Sequence, residues 1–523
     1  MVITKIAEHI DESNTISTLY ESLVYWGTKQ PDATFIVEAE SGRQVTYGQA
    51  LAAVNMMMKF LGNKRHTLLL ALPGGIVNAV LWISALSGGH QLVPVSPQAS
   101  DEEKVRLAAE YKPDIVFVEE RGDIANYRYF QATAITREMC ERWIERAPSL
   151  RLQPDEPRGG HVCLSTSGTT GDPKGVELSE SQAAWTADHV RSSHQLTQHD
   201  RGLTVLPFFH VNAPVVSLFA SLLAGSAVVI ARRFSRGNFW SWVQRYDITW
   251  VSIVPTIAAM LLETEKPAFL PGKLRFMRTG SAPLPAAIMQ AFEERFGIPL
   301  IETYGLSEAA SQVTANPLPP KQHKNGSAGV PVGVVLRICY PRTSDGTDDL
   351  VDVVAGEIGE ICVSGPSVIA GYRQHVGQDA FQDGWFRTGD LGYLDRDGYL
   401  FITGRSREVI IRGGENIAPR EVEEVLLSHP AVREAAAVGR PDAIYGEQVV
   451  AYVVVRGTWS ARMASDLKTY AAQRLSSHKV PVEIIALPTL PKNATGKVER
   501  CLLRAREQAR VNGQHVGAAS RVA

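Results

Sequence analysis

A chain of 523 residues is longer than one hydrophobic core fills, so two or more domains are expected. Its hydrophobic share of 45%, charged share of 21% and net charge of -2 are those of a soluble globular protein, and they exclude nucleic acid as the main partner, which would demand clustered Lys and Arg. The five cysteines (Cys140, Cys163, Cys339, Cys362, Cys501) are far apart in sequence, odd in number and form no CxxC pair, which excludes a disulfide framework and a zinc site and fits a reducing cytoplasm.

Residues 1–10 carry charges throughout and lack an apolar run before a small-residue cleavage site, so no signal peptide is expected. The first third then alternates periods. A strand is predicted at 44–47, a helix at 47–61, a buried strand at 67–72, a helix near 76–86 and a strand at 91–95. A charged helix at 101–111 and a strand at 114–118 follow. Strands separated by helices indicate βαβ units on a parallel sheet covered on both faces. Strands at 161–164, 202–206, 227–231, 250–253 and 300–302 continue the rhythm.

Residues 211–231 contain no charge, but Asn212, Pro214 and Gly225 interrupt them. A helix to 223, a turn at 224–226 and a strand at 227–231 explain the stretch better than a membrane span does. From about 335 to 402 short strands with turn signals at Asp383-Gly384 and Asp397-Gly398 predict an antiparallel subdomain. The last portion has helices near 421–428 and 464–475 and strands at 434–438 and 448–455, enough for a small domain of its own. The tail after Gly513 reads as disordered.

The strongest local signal is Thr166-Ser167-Gly168-Thr169-Thr170-Gly171-Asp172-Pro173-Lys174-Gly175. Four hydroxyls, three glycines and a lysine in ten residues offer donors to a polyphosphate. A Walker loop is excluded, because Pro173 precedes the lysine and Gly175 follows it. Such a run taken alone can also be a flexible linker.

With its companions the run closely resembles the signature of the adenylate-forming superfamily: acyl- and aryl-CoA synthetases, peptide-synthetase adenylation domains and firefly-type luciferases. Tyr304-Gly305-Leu306-Ser307-Glu308, Trp385-Phe386-Arg387-Thr388-Gly389-Asp390, Gly404-Arg405-Ser406-Arg407-Glu408 with Arg412-Gly413-Gly414-Glu415-Asn416, and Pro491-Lys492-Asn493-Ala494-Thr495-Gly496-Lys497 stand in the family's order. The resemblance spans roughly 46–504. It implies an α/β fold: a large N-terminal domain, 1–406, with parallel doubly wound sheets plus an antiparallel β subdomain, and a small mobile α+β C-terminal domain, 407–523.

The implied activity uses ATP and Mg2+ to turn a carboxylic acid into an acyl-adenylate, then passes the acyl group to a thiol. By resemblance Thr166, Ser167, Gly168, Thr169, Thr170, Gly171 and Lys174 hold the β- and γ-phosphates, and Glu308 binds magnesium beside Ser307. Asp390 accepts the ribose hydroxyls. Tyr304 lies on adenine opposite Gly280-Ser281-Ala282, with Glu302, Thr303 and Gly305 completing the nucleotide wall. Arg405 sits near ribose and phosphate, and Lys497 bridges carboxylate and phosphate oxygens. Each taken alone has a plainer reading: a solvated lysine, a turn aspartate, a helix-start glutamate.

The resemblance also implies rotation of the small domain about Arg407, where relatives usually show Lys or Asp, so arginine is a departure. Gly413 and Gly414 would pass a pantetheine arm and Tyr445 would stack on the CoA adenine. His210, beside Phe209, would swing between acyl pocket and thiol tunnel, with Val211, Gly280 and Gly305 near the acid. A lone His at a strand end is otherwise more often structural. No Asp occurs between Pro207 and Ala224, which argues against an α-amino acid. The expected acceptor is CoA. The alternatives are the phosphopantetheine arm of an acyl carrier protein, or an inactive nucleotide-binding scaffold.

Overall fold

The computed structural model describes residues 18–120, 132–147, 158–166, 174–267, 272–341, 350–373, 377–492 and 497–511. The tail expected to be disordered, residues 167–173 of the Ser/Thr/Gly run and residues 493–496 lie outside the described residues.

Two large sheets carry the N-terminal part. The nine-stranded one runs Val330–Pro331, Thr314–Ala315, Leu300–Tyr304, Phe276–Thr279, Trp250–Ile253, Arg201–Thr204, Ala227–Ile230, Thr34–Glu38, Gln44–Thr46. Its central strands are parallel, and antiparallel pairs close both ends. The six-stranded one runs Thr133–Thr136, Ile115–Val118, Thr67–Ala71, Gln91–Pro94, His161–Thr166, Lys174–Ser179, parallel except for the last pair.

Helix Ile76–Ser87 is buried at every residue, as a helix apolar all round must be. It packs against Thr34–Glu38 of one sheet and against Gln91–Pro94 and His161–Thr166 of the other. Its one amide, Asn78, donates through Nδ2 to the carbonyls of Leu72 at 2.8 Å and Pro73 at 3.1 Å, tying the start of the helix to the loop before it. Helices Tyr47–Leu61 and Glu180–Ser193 start at full capping boxes, Thr46 with Gln49 and Ser179 with Gln182.

The uncharged stretch is a π-helix, Ala213–Phe219, continuing as α-helix Ala220–Ala224, a turn at Gly225 and strand Ala227–Ile230. No described helix is long and apolar enough to cross a membrane.

The expected antiparallel subdomain is the sheet Val335–Cys339, Gly359–Ser364, Trp385–Leu394, Phe381–Gln382, with Leu400–Arg405 paired on Trp385–Leu394. Cys339 and Cys362, distant in sequence, stand on its first two strands, where their thiols donate to Asp352 Oδ1 and to the Glu360 carbonyl. From Ile410 onward the chain builds its own sheet: Glu415–Ile417, Ile410–Arg412, Gly446–Val455, Val432–Asp442, with Glu483–Ala486 parallel to Gly446–Val455. Ile410, Val422, Leu426, Val449 and Leu467 fill one side of that sheet, Tyr452, Leu490 and Leu503 the other. Between the two sheets lies only the short 3-10 turn Ser406–Glu408.

Candidate active site

Asp390 and Arg405 are cross-strand partners in the ladder of Trp385–Leu394 with Leu400–Arg405. Arg405 Nε meets Asp390 Oδ1 at 2.8 Å, and the Tyr304 hydroxyl donates to Asp390 Oδ2 at 2.7 Å. Both carboxylate oxygens are thus engaged from different elements. The Asp390 charge holds Arg405 above its ordinary range, while burial and then Asp390 push the Tyr304 phenol up. The turn before Asp390 is fixed by Glu360, which pairs with buried Arg387 at 2.7 Å and accepts the Gly389 N–H at 3.1 Å.

Tyr304 ends strand Leu300–Tyr304, and the chain then folds back on itself. A Cβ on Gly305 would lie 1.3 Å from the Ser311 carbonyl oxygen, so no other residue fits. That fold-back sets Glu308 in the turn Ser307–Ala309, where its Oε1 accepts the Tyr372 hydroxyl at 2.8 Å. Lys174 Nζ sits 4.6 Å from the centre of the Tyr372 ring. Lys174 is positioned by its backbone pairing with Thr166, so strands on either side close the Ser/Thr/Gly loop at its base.

Lys174, Ser307, Glu308, Asp390, Arg405, Arg407 and Lys497 line one polar cleft. Its continuation is walled by Ser281, Ala282, Glu302, Thr303, Tyr304, Arg405, Glu408 and Lys497. Lys497 is the point where both meet. Burial, and then Arg405, bring its ammonium down to about 8, although Asp390 and Glu408 pull the other way. Arg500 reaches Glu423 at 2.8 Å and Glu408 at 3.3 Å, bracing the segment that carries Lys497. Burial raises the Glu302 carboxyl to about 7; its Oε1 accepts the Leu284 N–H at 3.1 Å.

The Phe208–Asn212 segment meets the wall from the other side. Asn212 Nδ2 lies 3.5 Å from Ser281 Oγ, and Ser281 holds a left-handed φ of 69°. His210 packs on Phe209 with ring centroids 4.5 Å apart; burial takes it to about 4, so it is neutral at pH 7. Its Nε2 is buried and has no hydrogen-bond partner among the described residues. Val211 within this segment and Gly280 next to Ser281 are both buried.

Gly413 and Gly414, φ 60° and 87°, form the two-residue turn of the hairpin Ile410–Arg412 with Glu415–Ile417. The Gly413 N–H donates to the Tyr445 carbonyl at 2.7 Å, and Arg412 stacks on the Tyr445 ring. Gly413, Gly414 and Tyr445 line neither part of the cleft, whereas Lys174, Asp390, Arg405 and Lys497 do. The sequence reading missed Tyr372, Arg420 and Arg500. Arg500 stands three residues after Lys497 and was within reach of the same motif. Tyr372 has no local signal.

The chain matches the AMP-binding enzyme family over residues 23–373 and the AMP-binding enzyme C-terminal domain over 421–497. It is 35% identical to a sulfoacetate–CoA ligase of Cupriavidus necator over 94% of this chain and 98% of that protein. It is 40% identical to an oxalate–CoA ligase of Arabidopsis thaliana, over 68% and 69% of the two chains. Among solved structures, the O-succinylbenzoate coenzyme A synthetase of Bacillus subtilis in complex with ATP and magnesium ion superposes with a TM-score of 0.79. That pair shares 29% identity, over 93% of this chain and 98% of the other. The fold and the cleft define an adenylate-forming enzyme. The chain belongs to the AMP-binding enzyme family.

Proposed function

We infer that this chain is an AMP-forming ligase that activates a carboxylic acid with ATP and transfers the acyl group to coenzyme A. The observation that carries the reading is Lys497, half-buried where Asp390, Arg405 and Tyr304 converge and opening onto the Lys174–Glu308 wall. In the first step a carboxylate oxygen bonds to the α-phosphorus of ATP and pyrophosphate leaves. Two anions must approach, and Lys497, Arg405 and Lys174 offset that repulsion. Asp390 holds the ribose and Tyr304 the adenine, with Gly280, Ser281 and Ala282 opposite.

Glu308 fits a magnesium ion. Its carboxylate, placed in the cleft beside Lys174 and held by the Tyr372 hydroxyl, would hold the ion together with phosphate oxygens, a combination magnesium favours. When bound, the ion supplies charge neutralisation on the phosphates.

In the second step the thiol sulfur bonds to the acyl carbon and AMP leaves. Lys497 must then withdraw. The turn Ser406–Glu408, standing between two separately cored sheets, suits a hinge at Arg407 that divides 1–406 from 407–523. Neutral His210 lies on the acyl side, and Gly413, Gly414 and Tyr445 offer an exposed hairpin for the pantetheine and adenine of coenzyme A. Carrier-protein loading is not favoured, because the relatives named above are CoA ligases. The five unpaired cysteines suit the reducing cytoplasm, where we place the enzyme.

The test is ATP–pyrophosphate exchange over a panel of acids, followed by weighing the thioester formed with CoA or with a pantetheinylated carrier. Exchange with no acid, or a thioester on the carrier alone, would refute the reading.

A further inference from the structure

Arg278 stands out among the buried arginines. Arg387, Arg420 and Arg500 each have a carboxylate: Glu360, Glu424 and Glu423, at 2.7, 2.8 and 2.8 Å. Arg278 is 2% exposed and, among the described residues, meets only neutral oxygens. Its Nη1 donates to Ser252 Oγ at 3.3 Å, and its Nη2 to Thr303 Oγ1 and to Gln312 Oε1 at 3.4 Å. Its Nε is buried with no partner. Buried His194, driven well below its ordinary value by burial and then by Arg278, brings no compensating charge. Burial lowers the guanidinium only to about 9, so it stays charged at neutral pH. An arginine buried with no counter-charge is strongly disfavoured unless something else supplies the anion.

The guanidinium adjoins the cleft. Thr303, which accepts from Nη2, lies between Glu302 and Tyr304 on the cleft wall. A Cβ on Gly280 would sit 2.8 Å from Thr303 Oγ1 and 3.6 Å from Arg278 Nη2, so the bare glycine lets the wall at Thr303 and the guanidinium lie close behind it. Asn212 borders the same place, 3.4 Å from Ser252 Oγ and 3.5 Å from Ser281 Oγ. Close behind the cleft wall at Ser281 and Thr303, hydroxyls, an amide and one positive charge are thus gathered together. An aliphatic chain brought there would supply no counter-charge for Arg278; a short anion would.

Resting on the ligase reading above, we propose that the acid is a short dianion and that Arg278 binds its second anionic group, carboxylate or sulfonate. The competing reading is that Arg278 merely ties strands Trp250–Ile253, Phe276–Thr279 and Leu300–Tyr304 together through Ser252 and Thr303.

The experiment is pyrophosphate exchange with acids of matched length: propionate and butyrate against malonate, sulfoacetate and 3-sulfopropionate. The wild-type enzyme is expected to favour the dianions by about a hundredfold or more in kcat/KM, chiefly through KM. Malonate against sulfoacetate shows which anion is preferred. Arg278→Met, similar in volume and uncharged, should lose that preference by about a hundredfold while activating propionate at least as well as wild type. Arg278→Lys should keep part of it. Melting temperatures of both variants report the strand-tie role separately. Wild type preferring the monocarboxylates, or using only long or aromatic acids, would overturn the proposal and leave the ligase reading standing. So would equal losses on all acids in the folded Arg278→Met protein. Exchange with no acid at all would refute the ligase reading itself.

Discussion

Replacing Lys497 by methionine should slow adenylation and yet stabilise the protein at neutral pH. Both effects come from one buried ammonium. Burial, and then Arg405, hold Lys497 at about 8 against an ordinary 10.5. A lysine whose folded pKa lies below its unfolded value is penalised in the folded state wherever it is charged, which here means below about 8. The penalty shrinks as pH rises from the folded value to the unfolded one, and is gone above it. The gap between the two corresponds to about 3 kcal/mol at pH 7 as an upper figure, and to about half of that at pH 9.5. Methionine keeps most of the aliphatic length and removes the charge. Urea titrations of Lys497→Met at pH 7 should therefore show a midpoint above that of wild type, with the difference falling by about half by pH 9.5. Pyrophosphate exchange by the same variant should fall about a hundredfold, since the cation that offsets carboxylate–phosphate repulsion is missing. In the wild type, kcat/KM for ATP should decline as pH rises through about 8, where the free enzyme's lysine loses its proton. A variant less stable than wild type at pH 7, or a stability difference unchanged by pH, would refute the reasoning.

Gly305→Ala should abolish exchange and lower the melting temperature sharply, because its Cβ would collide with the Ser311 carbonyl; calorimetry and exchange on the purified variant check both. Glu308→Gln should weaken adenylation about tenfold or more with partial rescue at high magnesium, read from a magnesium titration; full activity at low magnesium would remove the metal role. Gly414→Leu should block thioester formation while leaving pyrophosphate exchange nearly intact, since the residue lies on an exposed hairpin away from the cleft; equal loss of both half-reactions would point to folding instead.

Most of the fold was legible because its elements announce themselves locally. Thr67–Ala71 and Ile76–Ser87 are continuous apolar runs, and Tyr47–Leu61 starts at a capping threonine, so each fell within a residue or two of its predicted bounds. Helix Leu19–Lys29 and strand Thr34–Glu38 were passed over, although Thr18 with Glu21 is a capping box. Strand Thr34–Glu38 pairs with Ala227–Ile230, nearly two hundred residues on, and no local pattern carries that partnership. At the cleft the contrast is the same. Residues carried by compact motifs (Lys174, Glu308, Asp390, Arg405, Lys497) were found from the sequence, and the structure brings them to one cleft. Tyr372 and Arg278 were not found. Their importance rests on what they touch across the fold, Glu308 in one case and Ser252 with Thr303 in the other.

The cross-strand pairing of Asp390 with Arg405 also limits what a moving C-terminal part can disturb. Both residues lie before Ser406, in one hydrogen-bonded ladder, and Tyr304 reaches them from the large sheet. Anything that swings beyond Ser406 takes Lys497 and Arg500 with it, because Arg500 is bound to Glu423 and Glu408 on the moving side. The ties that cross back, such as Arg420 to the Ile402 carbonyl and Arg456 to Glu263 at 3.5 Å, are polar contacts that water can replace. If the part beyond Ser406 rotates as proposed, contacts of this exchangeable kind are broken and remade, and a bound ligand's own preference can choose between the arrangements. An adenylate gripped by the fixed ladder would then feel no change in its holder while the cation beside it is withdrawn, and a half-finished product would stay in place between the two steps.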